Sequence, residues 1–112
     1  MKSLILEQTI TTHRAGTYKT FVDVYDRESG EWLKELEYVE HLKPLKHAAI
    51  TSMVQAVKSV REEYGEDVEV TFLTNAYEFE HLIAKKTGLE HHFDVCEDDG
   101  CGFCASLYEE AV

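Results

Sequence analysis

Proline is nearly missing from this chain, with one in 112 residues, and there are only six glycines. That scarcity excludes linker-rich or collagen-like architecture. No stretch approaches the roughly 18–20 apolar residues of a membrane helix. The opening Met-Lys-Ser-Leu-Ile-Leu reaches an acid at Glu7, too soon for the apolar core of a secretory leader. Cysteine is scarce too: three residues, an odd number crowded between Cys96 and Cys104, which do not make a secreted disulfide framework. These absences point to a reducing, cytoplasmic setting. Positive charge is the last shortage, with 11 Lys and Arg against 22 Asp and Glu and a net charge of −11.

A chain that is 44% hydrophobic, with one Trp, six Tyr and five Phe, has the material for a packed core. Its length fits one domain, able to bury about two thirds of the surface exposed on unfolding. A single domain over 1–112 is expected, with a core over 4–88 and a cysteine-containing segment over 89–112. The charge is uneven: residues 1–56 carry 8 acids and 7 bases, and residues 57–112 carry 14 acids and 4 bases. A domain of this sign repels nucleic acid and anionic lipid, and its natural partners are cations or proteins with a basic surface. Seven acids stand out as partner-binding candidates. Glu62, Glu63, Glu66, Asp67 and Glu69 surround a helix-to-strand turn, and Glu78 and Glu80 lie on a following helix. A solvated face is the plainer reading of such a run.

Period-two alternation predicts strands over Ser3–Thr11, Thr17–Tyr25 and Trp32–Val39, joined by short turns into an antiparallel meander. Pro44 opens a helix with a wide apolar stripe through Leu45, Ala49, Met53, Ala56, Val60 and Tyr64, closed by Gly65. Val68–Thr74 reads as an interior strand. Asn75 and Glu78 read as a capping pair for a second helix that ends at Lys85-Lys86 and Gly88. His92–Cys96 is expected as a fifth strand and Ala105–Val112 as a last helix. The fold class is α/β, a mixed sheet with a three-stranded antiparallel meander.

The order β-β-β-α-β-α(-β-α) resembles the ribonuclease H-like fold. Gly16-Thr17-Tyr18 entering the second strand, the Ala-rich helix from Ala49 to Val57 and the segment from Glu69 to Phe79 are similar to that family over roughly residues 4–86. The resemblance implies about four carboxylates holding two divalent metals in the nucleolytic members. Glu7 stands at the first of those positions. Ala49, with His47 two residues before it, stands at the second, and Asn75 at the third. Asn is neutral and Mg²⁺ prefers charged hard oxygens, so the set is degenerate and no catalytic residue is assigned.

The segment from Cys96 to Cys104 has C-x4-C-x2-C spacing. It looks like the loop of plant-type [2Fe–2S] ferredoxins but lacks their downstream fourth cysteine. One imidazole, from His92 or His91, with Cys96, Cys101 and Cys104 makes a ligand set suited to a structural zinc. Three reduced, partly buried cysteines are the plainer alternative. A nucleophilic cysteine is disfavoured by the adjacent Glu97, Asp98 and Asp99. Trp32, Tyr38 and Tyr25 on the meander offer an interface patch, with core burial the plainer reading for two of the three.

Small size, acidity and the incomplete carboxylate set resemble, in character, phage and mobile-element inhibitors of host nucleic-acid enzymes. The expected function is a non-catalytic, acidic protein-interaction module, a nucleic-acid mimic that binds the basic surface of a nucleic-acid-processing protein. A divergent metal-dependent nuclease using Glu7 and a zinc-stabilised adaptor are the alternatives.

Overall fold

Alternating apolar and polar residues drive the first three strands together, and they run longer than the pattern predicts. In the computed structural model, which describes residues 2–96 and 101–105, β1 spans Ser3–Arg14, β2 Thr17–Asp26 and β3 Trp32–His41. Both hairpins are antiparallel, with Glu7 opposite Asp23 and Asp23 opposite Glu35. The register slips between Thr12 and Arg14 and again between Val24 and Tyr25.

Helix α1, Leu45–Tyr64, carries the chain across to β4, Glu69–Thr74, which pairs parallel with β1. Parallel neighbours require such a crossover. Gly65 ends α1 at φ 112 and ψ 154, a positive-φ, extended residue in place of the left-handed cap common at helix ends. A 3-10 turn at Tyr77–Phe79 leads into α2, Glu80–Thr87. The chain then makes β5, Glu90–His91, parallel to β4, and a single helical turn α3, His92–Val95. The fold is therefore mixed α/β, with a five-stranded sheet in the order β3-β2-β1-β4-β5. Among the described residues no helix is long and apolar enough to cross a membrane.

The core lies between the sheet and α1. Leu4, Leu6, Val22, Val24, Val70 and Phe72 meet Ala49, Met53, Ala56 and Val60. Ala48, Ala49, Ser52 and Ala56 are fully buried, and these small side chains let the helix backbone settle close to the sheet. Burying each larger side chain contributes about 1.5–3 kcal/mol. Gln8 is the polar exception within this layer. Its Nε2 donates to the Ala49 carbonyl at 2.9 Å and to Ser52 Oγ at 2.7 Å. Its Oε1 accepts from Thr74 Oγ1 at 2.6 Å. A buried amide with its donors and acceptor matched fixes the register of α1 on β1 and β4.

Two expected elements differ. Asn75 caps no helix: the residue preceding the 3-10 turn is Ala76, with no side-chain cap. The Asn75 amide instead lies along β1, accepting from Ile10 N–H at 2.9 Å and donating to Ile10 C=O at 3.0 Å. It acts as one more peptide unit beyond the end of β4. The expected strand at His92–Cys96 is a helical turn, because strand pairing stops at His91. The expected last helix falls mostly beyond residue 105, outside the described residues.

Asn75→Asp tests this amide. A carboxylate keeps the acceptor but has no N–H for Ile10 and places an anion beside that carbonyl. The expected loss is about 1–2 kcal/mol in urea unfolding; an unchanged midpoint would mean the pair of bonds contributes nothing to stability.

Candidate metal centre

Strand alternation sends Leu4, Leu6 and Gln8 towards α1, which leaves Ile5, Glu7, Thr71 and Leu73 on the opposite face of the sheet. Part of that face is closed by the cysteine segment. Ile5, Leu73, Cys101, Phe103 and Cys104 form a second buried cluster, with Tyr25 and Cys96 packed against it. Phe103 meets Tyr25 edge-on with ring centroids 5.0 Å apart, and His92 at 5.6 Å.

The β2–β3 turn supplies the seat. Asp26 Oδ1 accepts from the backbone N–H of Glu28 and of Ser29, at 3.0 and 3.1 Å, and so shapes the turn. The Arg27 carbonyl then accepts from Phe103 N–H at 3.4 Å. Backbone meets backbone here through two glycines. A Cβ on Gly102 would overlap the Glu28 carbonyl, and one on Gly30 would stand 2.5 Å from the Gly102 oxygen. No other residue type lets the two loops approach this closely.

Four ligand atoms converge in the resulting pocket. His92, Cys96, Cys101 and Cys104 place one donor each, all within 4.8 Å of one another. His92 Nε2 lies 3.6 Å from Cys101 Sγ and 3.4 Å from Cys104 Sγ, and Cys96 Sγ lies 3.5 Å from Cys104 Sγ. With zinc–sulfur bonds of about 2.3 Å and zinc–nitrogen bonds of about 2.0 Å, the edges of a tetrahedron are about 3.8 Å (S···S) and 3.5 Å (S···N). The donor set therefore has the type and size of a closed structural zinc site. Of the two histidines the sequence left open, His92 is the one the fold turns inward. His91 faces away, and Glu97, Asp98 and Asp99 lie outside the described residues.

The surroundings set the protonation states. Thr71 Oγ1 stands 3.0 Å from His92 Nδ1. With Nδ1–H donating there, Nε2 presents its lone pair to the sulfurs, the usual outer support of a ligating imidazole. Burial above all, then the nearby Arg27 and His91, lower the His92 pKa to about 4, which keeps the ring neutral. Burial pushes the Cys104 thiol up to about 12, and the neighbouring Cys96 and Cys101 sulfurs add to the shift. Burial acts in the same sense on Cys101. There it is outweighed by hydrogen bonds from Cys104, Cys96 and the Phe103 backbone, which bring the thiol below its ordinary value. Arg27 is held in its charged form against burial by the Cys96 and Cys101 sulfurs beside it. A cation thus stands beside the clustered sulfurs.

The partner-binding candidates are divided by the fold. Glu62 and Glu63 lie exposed in the last turn of α1, and Glu66 and Asp67 in the loop after it. Glu63 is paired with Lys34 of β3. Glu69, the exposed first residue of β4, accepts from Ser3 Oγ at 3.1 Å. Glu78 and Glu80 sit beyond the other end of β4, so the seven acids form two groups separated by the strand. The fold also aligns Glu7, Asp23 and Glu35 across three strands. Loss of hydration, then Asp23 and Glu37, raise the Glu35 carboxyl above its ordinary value. Strand register alone reveals this row. Of the meander aromatics, Trp32 is 53% exposed and donates to Asp23 Oδ1 at 3.0 Å, whereas Tyr25 is taken up by Phe103.

Comparison with known protein families, curated proteins and solved structures finds no match to the chain.

Gly102→Ala is expected to push the cysteine segment off the β2–β3 turn. Stability should fall by about 1–3 kcal/mol, and Cys101 and Cys104 should react faster with a thiol reagent. Gly88→Ala, strained by its φ of +74 but with open space around it, should lower stability without raising thiol reactivity in the native state; equal reactivity in both variants would deny the close approach its role.

Proposed function

We propose that this chain is a zinc-stabilised, acidic binding domain on a ribonuclease H-like frame: a non-catalytic module that engages the basic surface of a nucleic-acid-processing protein. The observation that carries the reading is the closed His92, Cys96, Cys101, Cys104 set, buried against the sheet. A closed set of four protein ligands suits architecture, whereas catalytic zinc keeps a position free for water or substrate. Three thiolates, one neutral imidazole and Zn²⁺ sum to one negative charge, and Arg27 stands beside them.

The element order and the parallel β1–β4 pairing support the ribonuclease H-like frame. The positions where that resemblance asks for carboxylates support a binding role over a nuclease. Asn75 commits both polar atoms of its side chain to Ile10, and Ala49 is buried under the sheet. Surface acids then take the place of phosphates, as in the phage and mobile-element inhibitors whose character the sequence shares. Glu62, Glu66 and Asp67 are exposed at one end of the sheet, free to meet lysine and arginine.

Elemental analysis of protein purified without chelator is expected to give about one zinc per chain. Thr71→Val, which removes the partner of His92 Nδ1, should weaken zinc retention about tenfold or more. Metal-free protein at full thermal stability would remove the zinc reading. Capture of host proteins on the immobilised domain should retain a basic partner in a salt-sensitive way. Joint neutralisation of Glu62, Glu63, Glu66 and Asp67 to their amides should weaken that capture without moving the melting temperature. Binding indifferent to both salt and these substitutions would end the electrostatic reading. Mg²⁺- or Mn²⁺-dependent cleavage of RNA–DNA hybrids, lost in Glu7→Gln, would replace it with the nuclease.

A further inference from the structure

The residue before the inward-facing His92 points the other way, with β5 ending at one and α3 beginning at the other. His91 closes β5, and its ring is held edge-on to Phe72, with centroids 5.4 Å apart, and tilted against Phe93 at 5.8 Å. Its Nδ1 is buried and has no hydrogen-bond partner among the described residues. The nearest charge is Glu80 Oε1, 3.7 Å away. The Asp94 carboxylate, one turn along on α3, completes a group whose ligand atoms all lie within 4.8 Å of one another. An imidazolium–carboxylate pair accounts for His91 and Glu80 alone. It leaves Nδ1 beyond hydrogen-bond distance of the carboxylate, and it gives Asp94 no part.

We propose that Glu80, His91 and Asp94 form a second divalent-cation site, separate from the thiolate set and exchangeable with solvent. The geometry is that of ligands around a shared ion: too long for hydrogen bonds, short enough for one cation to touch all three. Two carboxylates and one imidazole match the charge of a dication and suit first-row ions such as the hard Mn²⁺ or the borderline Zn²⁺ better than a thiolate-seeking metal. Three protein ligands leave coordination positions free. Glu80 and His91 line clefts on two sides. One, of about 400 Å³, lies beside the middle of β1 and the carboxyl end of β4 and is also lined by Glu7, Asn75, Tyr77 and Phe93. The other, of about 330 Å³, contains Asp94 and Val95. A cation there satisfies a buried nitrogen that otherwise costs about 1–3 kcal/mol.

His91 and Asp94 flank the turn that carries His92, so the experiment separates the two sites. Protein as purified is titrated with Mn²⁺ while the free Mn²⁺ signal is followed by electron paramagnetic resonance, and its zinc content is measured in parallel. The expected result is one Mn²⁺ bound per chain. Glu80→Gln and Asp94→Asn, both at accessible positions, should weaken it by more than about tenfold while zinc content and circular dichroism stay as in the parent. No Mn²⁺ binding, or equal affinity in the parent and both variants, would overturn the proposal. Mn²⁺ binding that depends on Glu80 and Asp94 in a protein without zinc would support this site and refute the thiolate one.

Discussion

The seating of one loop on another, where the cysteine segment meets the β2–β3 turn, is the constraint on which the second face of this sheet depends. Helix α1 covers one face with a continuous apolar layer. The other face has no long helix among the described residues, and Ile5 and Leu73 are buried there against Phe103, Cys101 and Cys104. That small cluster holds less apolar surface than the α1 layer, and burial by area stabilises it correspondingly less. Convergence of an imidazole and three sulfurs at one point is the kind of cross-link that compensates for such thin packing, since metal binding contributes directly to folding free energy.

Electrostatics follow the same division. Two cations are matched: Arg27 faces sulfur, and Lys34 pairs with Glu63 on the surface. Elsewhere Glu62, Glu66, Asp67 and Glu78 are exposed at the two ends of β4, and Glu7, Asp23 and Glu35 stand opposite one another across the meander. Like charges placed opposite one another across strands oppose folding. A sheet that keeps such a row on its surface gives up some stability while acquiring a field that attracts cationic groups. The charge is therefore a property of particular edges and faces more than of the chain as a whole.

Much of this architecture was legible in the residues. Alternation located the meander, and the Ala-rich stripe from Ala49 to Val60 located α1 and its buried side, because periodicity reports directly on which face is apolar. The four clustered donors were legible through the C-x2-C spacing and a nearby histidine, although choosing His92 over His91 required knowing that β5 ends at His91. What escaped were interactions between residues far apart in sequence. Asn75 looked like a cap because Asn favours caps, but the open end of β1 offered Ile10 with both a donor and an acceptor, and two bonds there outcompete one at a helix start. Thr71 and Arg27 carry no local signal at all; only the sheet register brings them to the cysteines. Glu80, His91 and Asp94 were equally hidden, since a helix start, a strand end and a helical turn must assemble before the three share a point.

The approach of Gly102 to the Glu28 carbonyl also bears on the order in which the molecule assembles. Cys101 and Arg27 touch across 74 positions of sequence, so this contact closes one of the longest loops in the fold. Such contacts form late, because the entropy of closing the loop opposes them until most of the intervening chain is in place. The meander and α1 can collapse first, since each rests on nearer neighbours. During that interval Ile5, Leu73 and Tyr25 are uncovered, and a half-covered sheet of this kind is the species most prone to associate with itself. In a growing chain the interval lasts at least as long as synthesis takes to pass from the turn to the cysteines.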